Sequence, residues 1–145
     1  MKKCWVCLRI TPELALKLAH QVWVENPKNA REIGLKASEL IEQFYQEKPT
    51  FFCGLSGKSV LSGLFYLLGF QHQAFKSMKE IARATNTSEQ TMKQSYRKWF
   101  NASPLLFLGF KFERVYYESG SYGLYPTFKG KRVNRLLRER RLLNE

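Results

Sequence analysis

The heptapeptide Cys53–Ser59, CGLSGKS, contains the glycine-lysine-serine triplet with which a phosphate-binding loop ends. Such a loop also needs a glycine five positions before Gly57, so that successive backbone N–H groups can surround the phosphates. Phe52 occupies that position, and the chain has no aspartate to help hold Mg²⁺. We therefore expect no nucleotide here, but a turn leading into a helix capped by Ser56 or Ser59.

The residues that could form a metal or catalytic centre are few and scattered. Cys4 and Cys7 form a C-x-x-C pair, but a structural zinc needs four ligands. Only Cys53, His20 and His72 remain to supply two more, and they lack paired spacing. The glutamates are also scattered, so acid–base or metal–carboxylate chemistry lacks suitable pairs. We expect no metal, no cofactor, no catalytic residue and hence no enzyme.

Charge is the strongest compositional signal. The 145 residues carry a formal net charge of +12, with 9 basic and 6 acidic side chains in residues 1–58 and 15 and 6 in residues 59–145. A basic excess concentrated in one half indicates a polyanionic partner, above all nucleic acid. We find no apolar run long enough to cross a bilayer and no signal peptide, and therefore expect an intracellular protein of the cytoplasm or nucleoid, without a membrane.

The pattern of residues 77–100 predicts a helix-turn-helix. A short helix should start near Ser77, followed by a turn in which Asn86 takes a positive φ and Ser88 caps the next helix. The second helix should pack through one apolar side, formed by Met92, Tyr96 and Trp99. Its other side carries amide and basic groups, which can pair with adenine and with guanine or phosphate. We therefore predict that this helix lies in the major groove of double-stranded DNA.

The predicted DNA contacts fall into three groups. Those of the helix-turn-helix are Ser88, Gln90, Thr91, Lys93, Gln94, Arg97, Lys98, Lys76 and Lys79. Those of the following β-prone segment are Lys111 and Arg114. Those of the basic carboxy-terminal run are Lys129, Lys131, Arg132, Arg135 and Arg138, which would attract phosphates without reading sequence.

Hydrophobic periodicity predicts three helices before the helix-turn-helix. The first starts at Thr11-Pro12 and ends at Asn26-Pro27, and the second is capped by Asn29 and ends at Lys48-Pro49. The third, SVLSGLFYLLGF, is apolar on nearly every side and should form the centre of a bundle.

The last third of the chain changes character. Residues 105–128 are aromatic and β-prone, and they predict two strands joined by a turn at Gly120–Gly123. The run KGKRVNRLLRERRLLNE predicts a basic helix. The expected fold is mainly α: a five-helix bundle with a helix-turn-helix over residues 1–101, followed in residues 102–145 by a β-hairpin and a basic helix.

Together, the helix order and two groups of motifs resemble one cyclin-like repeat of the transcription factor IIB family, with archaeal transcription factor B the closer likeness. The resemblance covers roughly residues 10–100. The motifs are Gly57-Lys58-Ser59, Ser62-Gly63 and Tyr66, then Glu80-Ile81-Ala82, Ser88-Glu89, Thr91-Met92-Lys93 and Tyr96. The resemblance implies a cyclin-like bundle whose helix-turn-helix enters the major groove beside a TATA element, with Lys93 at a base or phosphate.

The chain shows one repeat where the family has two, and its single C-x-x-C does not supply the family's zinc ribbon. We therefore expect a transcription regulator related to the initiation factor. An alternative is a protein-interaction module that binds RNA polymerase or the TATA-binding protein and competes with that factor. RNA binding through the aromatic hairpin is a further alternative.

A second resemblance concerns the hairpin and the residues after it. A helix-turn-helix followed by an aromatic hairpin and the phrase Tyr125-Pro126-Thr127-Phe128-Lys129-Gly130-Lys131 is similar to a winged-helix repressor. The wing would span Gly109–Phe128. This alternative shares the same recognition helix, so it changes the architecture more than the function.

Overall fold

The computed structural model describes residues 10–52, 54–72, 74, 76–103, 110–128 and 131–132, with the backbone alone for 110–115, 122–128 and 131–132. This part of the chain is mainly helical, which confirms the fold class at that level. The five α-helices are α1 (Pro12–Val22), α2 (Pro27–Glu47), α3 (Gly57–Gln71), α4 (Met78–Thr85) and α5 (Glu89–Ala102). A 3₁₀ turn, Pro49–Phe52, joins α2 to the segment before α3.

Side-chain caps start each of the first helices. The hydroxyl of Thr11 accepts a hydrogen bond from the N–H of Leu14 at 3.2 Å, as predicted for α1. The prediction that Asn29 caps α2 is wrong. Asn26 is the cap, and its side-chain oxygen accepts from the N–H of Asn29 at 3.1 Å. Pro27 then occupies the first turn, where its missing N–H is no loss.

Helix α3 is the centre of the molecule, as its composition predicted. Ser56 caps it, and every residue from Ser59 to Phe70 is buried. It contacts α1, α2, α4 and α5. Its polar group at Ser62 is satisfied, because the hydroxyl donates to the carbonyl of Ser59 at 3.0 Å. A fully apolar helix is stable in water only when neighbours cover all of its sides, and these four helices do so.

Three short strands follow the helices: β1 (Phe110–Tyr116), β2 (Tyr122–Phe128) and β3 (Lys131–Arg132). β1 and β2 pair antiparallel, with Tyr116 opposite Tyr122, so residues 117–121 form the connection. The predicted turn at Gly120–Gly123 is therefore misplaced, because Tyr122 and Gly123 belong to β2. Gly120 alone takes the positive φ, at 86°, that the connection needs.

The first described residues of the predicted basic helix form a strand instead. Lys131 and Arg132 form β3, which pairs antiparallel with the edge of β2 that β1 leaves open. The rest of that prediction, with Lys129, Arg135 and Arg138, lies outside the described residues, as do Cys4, Cys7 and Cys53. Within the described part, no helix is long and apolar enough to span a lipid bilayer.

Candidate nucleic-acid interface

Local hydrogen bonds fix both ends of α4. The hydroxyl of Ser77 accepts from the N–H of Glu80 at 3.1 Å, and the carboxylate of Glu80 reaches back to the N–H of Ser77 at 3.5 Å. This capping box satisfies two backbone donors at the start of the helix. At its end, Asn86 adopts φ 55° and ψ 48°, and the N–H of Thr87 donates to the carbonyl of Ala82 at 2.9 Å. The predicted positive φ of Asn86 is confirmed.

The turn then passes directly into α5. The hydroxyl of Ser88 accepts from the N–H of Thr91 at 3.1 Å, so Ser88 is the predicted cap. Behind it, the hydroxyl of Thr85 donates to the carbonyl of Ile81 at 2.7 Å and lies 2.9 Å from the hydroxyl of Thr87. The angle between α4 and α5 is thus set by one left-handed residue and a short chain of hydroxyl contacts.

We expect Asn86→Val to lower the free energy of unfolding by about 1–2 kcal/mol, because a β-branched residue tolerates the left-handed conformation poorly. Asn86→Gly should stay within a few tenths of a kcal/mol of the wild type, since glycine adopts the same φ freely. Urea denaturation followed by the helical circular dichroism signal measures both values. Equal stability of Asn86→Val and Asn86→Gly would contradict the left-handed turn.

Helix α5 is held against α3 through one buried row, Met92, Ser95, Tyr96 and Trp99. The carbonyl of Val60 anchors it twice: the indole N–H of Trp99 donates to this oxygen at 3.1 Å, and the hydroxyl of Ser95 at 3.4 Å. Gly63, one turn further along α3, allows the close approach. A Cβ at Gly63 would lie 2.6 Å from the backbone nitrogen of Tyr96. The buried row therefore fixes which side of α5 faces outward.

The outward side of α5 carries a second row, which we call the polar row: Gln90, Gln94, Arg97 and Asn101. Their spacing of four, three and four residues places them on one side of the helix. All four are exposed. Sequence reasoning identified the first three and missed Asn101, although the same spacing extended by one step includes it.

Three other predicted contacts on α5 are less available. The hydroxyl of Thr91 lies 2.7 Å from that of Ser88, so the two form a local pair at the helix start. Lys93 is half-buried beside the polar row. Lys98 is also half-buried, and its Nζ lies 5.1 Å from the centroid of the Phe51 ring, a cation–π distance. Of the predicted cations on α5, Arg97 is the exposed one.

Lys76 does not have the surroundings of a phosphate contact. Its Nζ lies 2.5 Å from the carboxylate of Glu25 and 3.7 Å from that of Glu80, and its side chain is only 16% exposed. Burial opposes ionisation of Glu25, but the hydrogen bond from Lys76, a backbone hydrogen bond and the charge of Lys76 together outweigh it and lower the pKa of Glu25. The charge of Lys76 is therefore compensated inside the protein, which sequence spacing could not reveal because Glu25 lies in a distant segment.

Helix α4 nevertheless presents two exposed cations. Lys79 was predicted, and Arg83, four residues later on the same side, was missed. They line a shallow groove between α1 and α4 together with Gln21 and Glu80. Helix α4 thus carries an exposed basic pair, and helix α5, which follows it after a short turn, carries the polar row.

The strand residues in the prediction occupy different registers. Lys111 lies opposite Thr127 and Arg114 opposite Leu124. An odd separation along a strand puts two residues on opposite faces of the sheet, so Lys111 and Arg114 do not share a face.

The tyrosines behind α5 are structural. The rings of Tyr66 and Tyr96 lie 5.1 Å apart between their centroids, in the contact of α3 with α5. Burial raises the pKa of both hydroxyls, and for Tyr96 the neighbouring Arg97 offsets only part of that effect. Both hydroxyls therefore stay protonated at neutral pH and offer no acid–base chemistry there. In the described residues, no three histidine, cysteine or glutamate side chains lie close enough together to hold a metal ion.

No protein-family model, curated protein or solved structure matches this chain. Its function must therefore be inferred from the arrangement of its own residues.

Proposed function

We propose that this chain is an intracellular DNA-binding transcription regulator that places α5 in the major groove of double-stranded DNA. The observation that carries the proposal is that α5 has one buried side and one exposed polar side. Its buried row is fixed to the carbonyl of Val60, so its polar row faces outward. An α-helix fits the major groove, and amide and guanidinium groups are the side chains that pair bidentately with base edges there.

The basic pair on α4 supplies the phosphate contacts that such docking requires. In helix-turn-helix proteins the first helix crosses the sugar–phosphate backbone while the second enters the groove. Lys79 and Arg83 are exposed on that first helix. Lys93, beside the polar row, would meet a base or phosphate, and the net charge of +12 adds a long-range attraction.

The finer fold that we propose is a single cyclin-like repeat related to transcription factor IIB. Two features support it. Helix α3 begins with Gly57-Lys58-Ser59 and is buried from Ser59 to Phe70. Gly63 in its middle leaves room for the backbone of α5.

The winged-helix alternative has weaker support. The exposed tip between β1 and β2 carries Glu118 and no basic side chain between Tyr116 and Ser121. A wing tip usually offers arginine or lysine to the minor groove, and a carboxylate there repels phosphate. We therefore do not assign the strand pair a DNA contact.

A second candidate function is a protein-interaction module on RNA polymerase or the TATA-binding protein. The observation that favours it lies on α2, where Leu35 is 49% exposed and is followed on the same side by exposed Glu39 and Glu42. An acidic row with an apolar residue repels DNA and suits a basic protein surface. It lies on a different helix from the polar row, so the two functions predict different loss-of-binding variants.

The test is binding to labelled duplex DNA at several salt concentrations. We expect log K to fall linearly with log salt, and Lys79→Ala to reduce that slope by about one, because one phosphate contact is lost. Lys76→Ala is the matched control and should leave the slope unchanged, since Glu25 and Glu80 already compensate this charge.

Absence of duplex binding at low salt would reject the DNA function. Capture of RNA polymerase or TATA-binding protein, lost on Glu39→Lys, would then support the second candidate. A preference for single strands would instead support the RNA-binding alternative.

A further inference from the structure

Two carboxamides occupy the first two turns of α5 on its outward side. Gln90 and Gln94 are both exposed, and the part of the chain that the structure describes offers neither side chain a hydrogen bond. Among the other groups in these turns, Thr91 pairs with Ser88, and Met92 and Ser95 are buried. Lys93 is half-buried, and exposed Glu89 carries a negative charge that phosphate repels. The first residues of a recognition helix are the ones that reach base edges. The glutamines are therefore the groups best placed for reading bases.

Adenine is the base whose major-groove edge can pair with both the oxygen and the NH₂ of a carboxamide. The carboxamide oxygen accepts from the N6 amino group of adenine while the carboxamide NH₂ donates to N7, whereas guanine presents two acceptors at the same edge. The Cα atoms of Gln90 and Gln94 are separated by about 6 Å along the helix axis, at 1.5 Å per residue. Stacked bases repeat at about 3.4 Å, so the two side chains reach bases one or two steps apart.

We infer that the chain selects duplexes containing two adenines one or two steps apart, one read by Gln90 and the other by Gln94. The inference rests on the proposed function, since it assumes that α5 enters the major groove. It goes further by naming the base that each residue recognises. Arg97, one turn further along the polar row, would add a guanine or a phosphate contact.

The experiment is selection from a pool of duplexes with a random core, using the full chain and three variants. For the wild type we expect two adenine positions in the selected sequence. Gln94→Glu should exchange one of them for cytosine, because a carboxylate accepts from the N4 amino group of cytosine. Gln90→Ala should remove the other preference. Gln46→Ala, an exposed glutamine on α2, is the control and should select the wild-type sequence.

Each selected preference is then measured as a ratio of affinities for duplexes that differ at one base pair. We expect a wild-type ratio of roughly 5- to 150-fold at each adenine, lost in the corresponding variant. The ratio compares the affinities of one protein for two duplexes with the same number of phosphates. The effect of the added negative charge in Gln94→Glu on overall DNA affinity therefore cancels.

The outcomes separate this inference from the proposed function. Selection of bases other than adenine at both positions, or selection without any preference, would overturn the inference while DNA binding stands. Adenine that persists in Gln94→Glu and Gln90→Ala would also overturn it, because the preference would then come from DNA shape. A wild type that binds no duplex would overturn the function itself.

Discussion

Trp99→Ala is expected to lower the free energy of unfolding by about 3–5 kcal/mol, the range for truncating a fully buried tryptophan. The ring is 0% exposed and lies 4.8 Å from the ring of Phe44 and 4.6 Å from that of Phe51. Its removal leaves a cavity among these aromatic rings and deletes the hydrogen bond to Val60. Urea denaturation followed by circular dichroism at 222 nm measures the loss.

A domain of this size is stable by only about 5–15 kcal/mol, so a loss of this size calls for a milder companion variant. Trp99→Phe keeps most of the ring and loses the N–H donor, so it should cost clearly less than Trp99→Ala. Wild-type stability in Trp99→Ala would mean that α5 is not docked on α3 as described. The conclusion that the polar row faces outward would then no longer hold.

Gly63→Ala is expected to lower the free energy of unfolding by about 2–3 kcal/mol. In an open helix the same change stabilises by about 1 kcal/mol, because alanine is the better helix former. At Gly63 the same substitution should destabilise, because its Cβ would lie 2.2 Å from the hydroxyl oxygen of Ser95 and 2.6 Å from the backbone nitrogen of Tyr96. The backbone of α5 cannot rotate away as a side chain can, so the helix must shift.

Gly34→Ala is the matched control for this change. It also lies in a buried helix contact, but the nearest atom to its Cβ would be the terminal Cδ2 of Leu16, at 3.0 Å, which can move by rotation. The Cβ of Ala19 and the Cα of Leu16 would follow at 3.2 Å, farther away than the atoms that a Cβ at Gly63 would meet. We expect a smaller loss of stability than at Gly63, and no change in DNA affinity. A stability gain in Gly63→Ala would contradict the close contact of α3 with α5.

Local signals predicted where most of the helices begin. The caps at Thr11 and Ser88, the start of α4 near Ser77 and the positive φ of Asn86 depend on residues within three or four positions of each other. The burial of α3 was predictable for a similar reason, because its composition leaves no polar side. The error at Asn29 arose where two asparagines compete, and Pro27 decides in favour of Asn26 because proline is tolerated in the first helical turn.

Long-range features could not be predicted in the same way. The pairing of Lys76 with Glu25 joins segments 51 residues apart, and Lys98 meets a ring on the Pro49–Phe52 turn. Both contacts depend on how the helices are placed relative to one another, and helical periodicity carries no information about that placement. The sequence therefore predicted which residues of α5 lie outward, but it could not show which lysines are compensated by carboxylates, as Lys76 is.

The division of α5 into two rows has a consequence for how such a protein can change. Gln90, Gln94 and Asn101 are exposed and lie outside the buried row, whereas substitutions at Ser95 or Trp99 disturb the anchor on Val60. Under the proposed function, target preference and folding would thus be encoded by separate sets of positions on one helix. A series of descendants could acquire different operator sequences on an unchanged scaffold, one surface replacement at a time.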